Sequence, residues 1–304
     1  MTNTQISGRA WIDLTLLALL WGGSFLAIRT ALDEIAFLSS VAHRVLWAAI
    51  LLWVLVLIKR LPIPTSPRVW GAFIVMGCLN NVVPFSLMAW GQLSIEVGLT
   101  AILNAATAIW GVLIAAMFFP SERLTTPRVI GVTLGFIGVA TAIGLQNFAS
   151  FDIRSLAQIA VIAGTISYAF AGIWARAKLS DHPPLVAAAG MLTGSTLVML
   201  PLAWIIEGPL PMTLSAPTWW AIAYYAIAST ALAYVLYYRI LAAAGAGNLL
   251  LVTLMIPPIA IILGAWFRAE TLTPNAYLGF ALLGFGLLIL DGRLGHALRK
   301  IKSS

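Results

Sequence analysis

Phe119-Pro-Ser-Glu122-Arg-Leu124-Thr125, with Gly131 and Gly138 beyond it, recurs as Phe267-Arg-Ala-Glu270-Thr-Leu272-Thr273, with Gly279 and Gly286 beyond. Glu122 to Glu270 and Gly138 to Gly286 are each 148 residues apart, and Trp21 and Arg29 answer Tyr168 and Arg176 at 147. The chain therefore divides into a first copy over 1–147, a second over 148–292 and a basic tail over 293–304. Each copy holds five apolar segments. Five is odd, so in a membrane the second copy starts from the opposite side to the first. Inverted repeats are a device of secondary transporters, which place substrate near the midplane between the copies.

Composition around the repeat supplies the membrane. Of 304 residues 61% are hydrophobic and 9% charged, and the mean hydropathy is +0.99. A soluble domain carries about 25% charged residues to cover its surface; this chain cannot. The apolar residues fall into ten segments, 11–30, 36–58, 69–90, 94–119, 127–145, 156–177, 184–206, 217–240, 246–267 and 274–291. Most approach the ~20 residues that cross about 30 Å of hydrocarbon. Short polar or Pro-bearing breaks separate them and leave no room for a soluble domain. The predicted fold is an all-α polytopic membrane protein, ten transmembrane helices as two inverted five-helix repeats around a central cavity. Arg9 and the apolar run from Trp11 resemble a signal peptide, but no small-residue cleavage site follows, so the segment reads as an uncleaved first span.

The formal net charge of +7 marks topology. With both termini cytoplasmic, 13 of the 17 Lys and Arg lie inside: Arg9; Lys59, Arg60 and Arg68; Arg123 and Arg128; Arg176 and Lys178; Arg239; Arg293, Arg299, Lys300 and Lys302. Most acids lie outside, among them Asp33, Glu34, Glu96, Asp152, Glu207 and Glu270. The positive-inside bias selects this orientation in a bacterial-type inner (plasma) membrane. No basic face with interleaved aromatics suits nucleic acid. The lone Cys78 excludes an internal disulfide, and no Cys/His cluster suits a metal. No cofactor is expected.

No carboxylate lies near mid-span; Asp13, Glu96 and Asp291 fall close to helix ends. A proton-coupled carrier of lipophilic cations wants such a buried acid, so a neutral or zwitterionic substrate is favoured. Mid-span holds amides, hydroxyls and aromatics instead: Trp21; Asn80, Asn81 and Phe85; Asn104, Thr107 and Trp110; Ser167 and Tyr168; Ser229, Thr230 and Tyr234. A buried Asn must hydrogen-bond a helix, water or ligand. Asn80-Asn81 reads equally as helix glue or as cavity lining. The deep aromatics either line a cavity, where their faces would attract an ammonium, or pack against neighbours. Trp11, Trp70, Trp90, Trp219 and Trp220, at span ends, read as an interfacial belt.

His43-Arg44 lies about two turns into the second segment, at an outer vestibule. Neutralisation of Arg44 by Asp33 or Glu34 is one reading, and contact with a substrate carboxylate the other. His43 is the histidine placed for proton coupling. Pro84 should free a backbone carbonyl, and Pro257-Pro258 should bend the ninth segment, which makes all three hinge candidates. Gly131-x3-Gly135 and Gly190-x3-Gly194 permit close helix approach within the chain. The tail from Arg293 suits an anionic lipid surface.

Leu19-Leu20-Trp21-Gly22-Gly23-Ser24-Phe25, His43-Arg44-Val45-Leu46 and the repeated Glu-Arg-Leu-Thr passage resemble the drug/metabolite transporter superfamily, in its ten-helix EamA-type branch and, within that, the YddG-type amino-acid exporters. The resemblance covers nearly the whole chain. Three departures stand out: Ser121 and Ala269 replace a glycine before the glutamates, the proline usual in mid helix 4 is missing, and the break is expected instead in helix 9 at Pro257-Pro258. The resemblance implies helices 1, 3, 4, 6, 8 and 9 around the cavity, helices 5 and 10 outside, and export of amino acids or similar small zwitterionic or neutral metabolites by alternating access. Alternatives are a flippase or an exporter of another metabolite, drug or lipid-linked intermediate. An intramembrane enzyme would need a buried nucleophile–base pair or metal ligands, and no H-E-x-x-H or G-x-S-x-G is present. The partners expected are a small solute and the bilayer, with a monomer favoured.

Overall fold

The computed structural model describes residues 8–119, 124–144, 153–237, 239–240 and 251–290, and all its regular structure is helical. Helices satisfy their own backbone, as a chain in hydrocarbon must. In chain order they are α1 Gly8–Ala31, α2 Phe37–Ile58, α3 Pro67–Gly91, α4 Val97–Phe118, α5 Thr126–Ile143, α6 Ile153–Lys178, α7 Pro184–Glu207, α8 Ala216–Tyr237, α9 Leu251–Arg268 and α10 Pro274–Leu290. The first eight are long and apolar enough to cross a bilayer, and α9 and α10 are shorter apolar helices. Pro67, Pro127, Pro184, Pro217 and Pro274 stand in first turns, where a missing N–H breaks no bond. Glu122, Arg123, Asp152, Asp291, the tail and the start of the ninth segment lie outside the described residues.

The packing exchanges the repeats. α1 packs on α9 and α6 on α4; α2 packs on α8 and α7 on α3; α2 meets α7, α4 meets α9 and α5 meets α10. Each contact survives swapping helix n for helix n+5, the mark of a pseudo-two-fold axis. At α5–α10 the repeated glycines meet crosswise. A Cβ on Gly138 would lie 2.7 Å from the Gly279 carbonyl oxygen, and one on Gly286 would lie 2.6 Å from that of Gly131. Only hydrogen at these positions lets the two backbones touch. Gly190 and Gly194 seat Phe73 and Ile74 of α3 in the same way, so this glycine pair serves packing within the chain.

Three helices depart from regular winding. α3 widens to a π-helix over Cys78–Val82, just before Pro84. Proline lacks the N–H for residue i−4 and crowds its carbonyl, and a wider turn absorbs both faults. α8 widens over Tyr224–Leu232, the corresponding place in the second repeat, with no proline. Here Thr230 Oγ1 donates 2.7 Å to the Tyr225 carbonyl, five residues back. α4 breaks after Asn104 and restarts at Thr107, whose hydroxyl donates 2.7 Å to the Asn104 carbonyl. α9, by contrast, runs unbroken through Pro257 and Pro258. The interruption expected at Pro257-Pro258 is thus found in α4, which lacks a proline, because a Thr side chain supplies the competing bond.

Loops on one face tie the repeats together. Glu207, ending α7, accepts from Leu38 N (2.9 Å), Ser39 N (2.7 Å) and Ser39 Oγ (2.8 Å) at the start of α2. Glu270 accepts from Val97 N at 2.9 Å, at the start of α4. Carboxylates on helix N-termini gain from the unpaired N–H groups and the dipole. Glu34 takes Ser215 N (2.9 Å) and the hydroxyls of Ser215 and Thr218; Asp33 pairs with Arg29 (2.9 Å) and Arg268 (2.5 Å); Glu96 pairs with Arg154 at 2.7 Å. On the opposite face, Asp13 of α1 pairs with Arg239.

Candidate functional site

The glycines beside Trp21 explain where its ring goes. A Cβ on Gly22 would stand 3.2 Å from the Ile256 carbonyl oxygen of α9, and one on Gly23 would overlap the Tyr224 hydroxyl of α8. α1 thus wedges between α8 and α9. Trp21 Nε1 then donates 3.1 Å to the Ser229 carbonyl, inside the π segment of α8, and the ring lies 6.1 Å from that of Tyr237. Across the pseudo-axis, Ser167 Oγ of α6 donates 2.7 Å to the Leu79 carbonyl, inside the π segment of α3. Each repeat's first helix caps a carbonyl in the other repeat's widened helix.

Between these two clasps lies a polar and aromatic cluster. Asn80 Nδ2 donates to the Tyr234 hydroxyl at 3.0 Å and lies 3.3 Å from Asn81 Oδ1; Asn81 Nδ2 donates 2.8 Å to Ser195 Oγ of α7. The two amides diverge, as adjacent residues on a helix must. Asn81 is wholly buried as a tie between α3 and α7, whereas Asn80 stays partly accessible. Phe85 and Tyr168 meet edge to face at 6.5 Å. The Arg44 guanidinium lies 3.8 Å from the Phe85 centroid, and its Nε donates 3.0 Å to Thr230 Oγ1. Tyr168, Tyr225 and Tyr234 are within electrostatic reach of it.

Arg44 does not meet Asp33 or Glu34, which the sequence offers as neutralising partners; both belong to the loop ties above. Helix 2 turns Arg44 toward α3 and α8 instead. Nor does His43 open onto a vestibule. It is fully buried, with Nε2 2.9 Å from the Pro211 carbonyl and Nδ1 accepting from Trp47 Nε1 at 3.2 Å. That acceptance puts the proton on Nε2 and commits both nitrogens.

The cluster thus gathers Trp21, Asn80, Asn81, Phe85, Ser167, Tyr168, Ser229 and Tyr234 with Arg44. Three expected members lie apart from it. Asn104 and Thr107 form the α4 break, where Asn104 Oδ1 is buried without a partner. Trp110 packs edge to face on Phe136 at 4.9 Å and lines a separate apolar cavity of about 240 Å³ with Ala106, Val139, Ile143, Ile159 and Ile162. Pro84 borders the α3 π segment, while Pro257 is buried and Pro258 exposed in an unbroken helix. Tyr225, Ser40 and Ser195 also pack inward but carry no sequence signal for it. Tyr225, bonded to Ser40, sits near the Trp219-Trp220 belt signal, and Ser195 adjoins a glycine stripe. Only tertiary packing turns them inward. Among the described residues no group of His, Cys, Asp or Glu could hold a metal ion.

The EamA-like transporter family profile matches this chain twice, over residues 10–144 and 155–290. The chain is 18% identical over 281 residues to the uncharacterized transporter YoaV of Bacillus subtilis, covering 92% of this chain and 96% of that one. It is 22% identical over 292 residues to a probable terminal-alkyne amino-acid exporter of Streptantibioticus cattleyicolor, covering 95% of each. A solved crystal structure superposes with a TM-score of 0.67 at 18% identity, covering 94% of this chain and 98% of that one, which is a likeness of fold.

Proposed function

This chain belongs to the EamA-like transporter family, and from that membership we propose that it exports amino acids or similar small zwitterionic or neutral metabolites by alternating access. The observation that carries the reading is the cluster between the repeats. Trp21, Asn80, Asn81, Phe85 and Arg44 come from the first copy, and Ser167, Tyr168, Ser229 and Tyr234 from the second. A solute held by both copies at their boundary is released when they rock past each other. Amides and phenols suit a polar solute, and the aromatic faces suit its side chain. The relative named as an amino-acid exporter supports that substrate class.

The membrane is a bacterial-type inner membrane with both termini cytoplasmic, supported by the distribution of Lys and Arg. The acid-bearing loops then face outward, and the ties on that side hold the outer entrance shut in this conformation. Purified protein in liposomes should accelerate counterflow of labelled amino acids, and Trp21→Ala or Asn80→Ala should reduce it at least about tenfold, the loss of one good polar contact. Flux no greater than in protein-free liposomes, across a broad metabolite panel, would overturn the reading.

A further inference from the structure

We propose that Arg44 and the Tyr168 hydroxyl form a carboxylate site across the repeat boundary, so that a carboxylate is the obligatory mark of the solute and an ammonium is dispensable. The inference rests on the transport reading above and narrows its substrate class.

Arg44 is only 8% exposed, yet its polar partner among the described residues is a neutral hydroxyl, Thr230 Oγ1. All seven described carboxylates are engaged elsewhere: Asp13 with Arg239, Asp33 with Arg29 and Arg268, Glu34 with Ser215 and Thr218, Glu96 with Arg154, Asp181 with Ser180, Glu207 with Ser39, and Glu270 with Val97. A buried cation without a counter-charge is destabilising. The Phe85 face offsets part of that charge but cannot cancel it. An anion that enters from solution completes the site.

The donors for that anion are on hand. Only Nε of the guanidinium is used by Thr230, which leaves the forked terminal nitrogens that match a carboxylate in geometry. The Tyr168 hydroxyl makes no hydrogen bond among the described residues, and its ring stacks edge-on against the Phe85 ring that carries Arg44. One donor comes from each repeat. The same field repels an ammonium, and among the described residues no acid stands near to hold one, so an amino acid is recognised here through its carboxylate end.

The test uses alanine, leucine and phenylalanine, each as amino acid, 2-hydroxy acid and decarboxylated amine, with the full-length protein. Ligand-induced melting shifts and competition for counterflow are read for each. Amino acid and hydroxy acid should compete within about threefold of one another, and the amine at least tenfold more weakly. Arg44→Met should weaken binding of both carboxylates about ten- to a hundredfold, the range for losing a charged hydrogen-bond partner. Its melting temperature without ligand should be equal or higher, since a buried charge is removed. Tyr168→Phe should weaken carboxylates severalfold with melting unchanged.

Amine bound as tightly as acid, or amino acid bound and hydroxy acid refused, overturns the carboxylate site and leaves the transport reading intact. So does an Arg44→Met protein that melts lower while its wild-type ligand preference persists. Melting shifts by carboxylates without flux support the site and overturn transport. No binding by any compound overturns both.

Discussion

Asn80 and Asn81 show how much one residue's neighbours decide. The pair is equally compatible with glue and with lining until the neighbours are placed. Asn81 is wholly buried against Ser195, whereas Asn80 reaches the partly accessible Tyr234. Asn81→Ala strands Ser195 and should destabilise the protein by about 1–3 kcal/mol in thermal denaturation. Asn80→Ala should lower transport with a melting change less than half as large. Equal stability losses with equal transport would show that both amides are structural. The aromatic residues divide the same way. Trp21 and Trp110 are alike in depth along their segments, but Trp21 reaches the α8 carbonyl and Trp110 faces Phe136 outside the cluster.

At the scale of the element, two departures from ideal helix organise the site. The π segments of α3 and α8 each present a carbonyl that the other repeat's first helix caps. Pro84 borders one of them, and Pro84→Ala restores the missing N–H and relieves the crowding. The variant should be as stable as the parent or more so, and its turnover should fall on the hypothesis that the π segment flexes during transport. Unchanged turnover in counterflow would show that the α3 widening is not a moving part. The glycine crossing of α5 and α10 is the opposite kind of element, built to stay. Gly138→Val drives a branched side chain into the Gly279 and Leu283 backbone, where nothing can yield. It should destabilise by about 3 kcal/mol or more, the upper end for overpacked cores, read as a fall in melting temperature and in folded yield.

For the whole molecule, one face is fastened across the repeat boundary by five carboxylates, and two of them, Asp33 and Glu34, carry a defined pH response. The Asp33 carboxyl is held below its usual range, first by its hydrogen bond from Arg268 and further by the charges of Arg268 and Arg29. Glu34 is held low by hydrogen bonds from Ser215 and Thr218. A carboxyl with a lowered folded pKa contributes stability above its ordinary value, and that contribution is lost as pH falls through the lowered one. The Asp33 and Glu34 ties should therefore be constant from about pH 8 to pH 5 and weaken only below about pH 4. Spin labels at Ala36 and Met212, on a Cys78→Ser background, would read it as a distance. Asp33→Asn with Glu34→Gln should lengthen that distance at neutral pH. A distance that changes between pH 8 and pH 5, or is unmoved by the double substitution, contradicts the assignment.

Length, apolar segments and the 148-residue repeat by themselves determined ten helices, their division into two copies and the inversion between them. These follow from quantities that add along a chain: hydrocarbon thickness, helix rise and the parity of five. Most members of the cluster were also legible, because polar and aromatic groups in hydrocarbon stand out wherever they fall. Only the tertiary structure decided who meets whom: that Arg44 turns to Phe85 and Thr230 and leaves Asp33 to Arg268, that His43 is sealed by Trp47 and Pro211, and that α4 breaks while the double proline of α9 does not. Those outcomes depend on which helix face the opposite repeat covers, and partners as far along the chain as Thr230 is from Arg44, Pro211 from His43 and Arg268 from Asp33 leave no local signal.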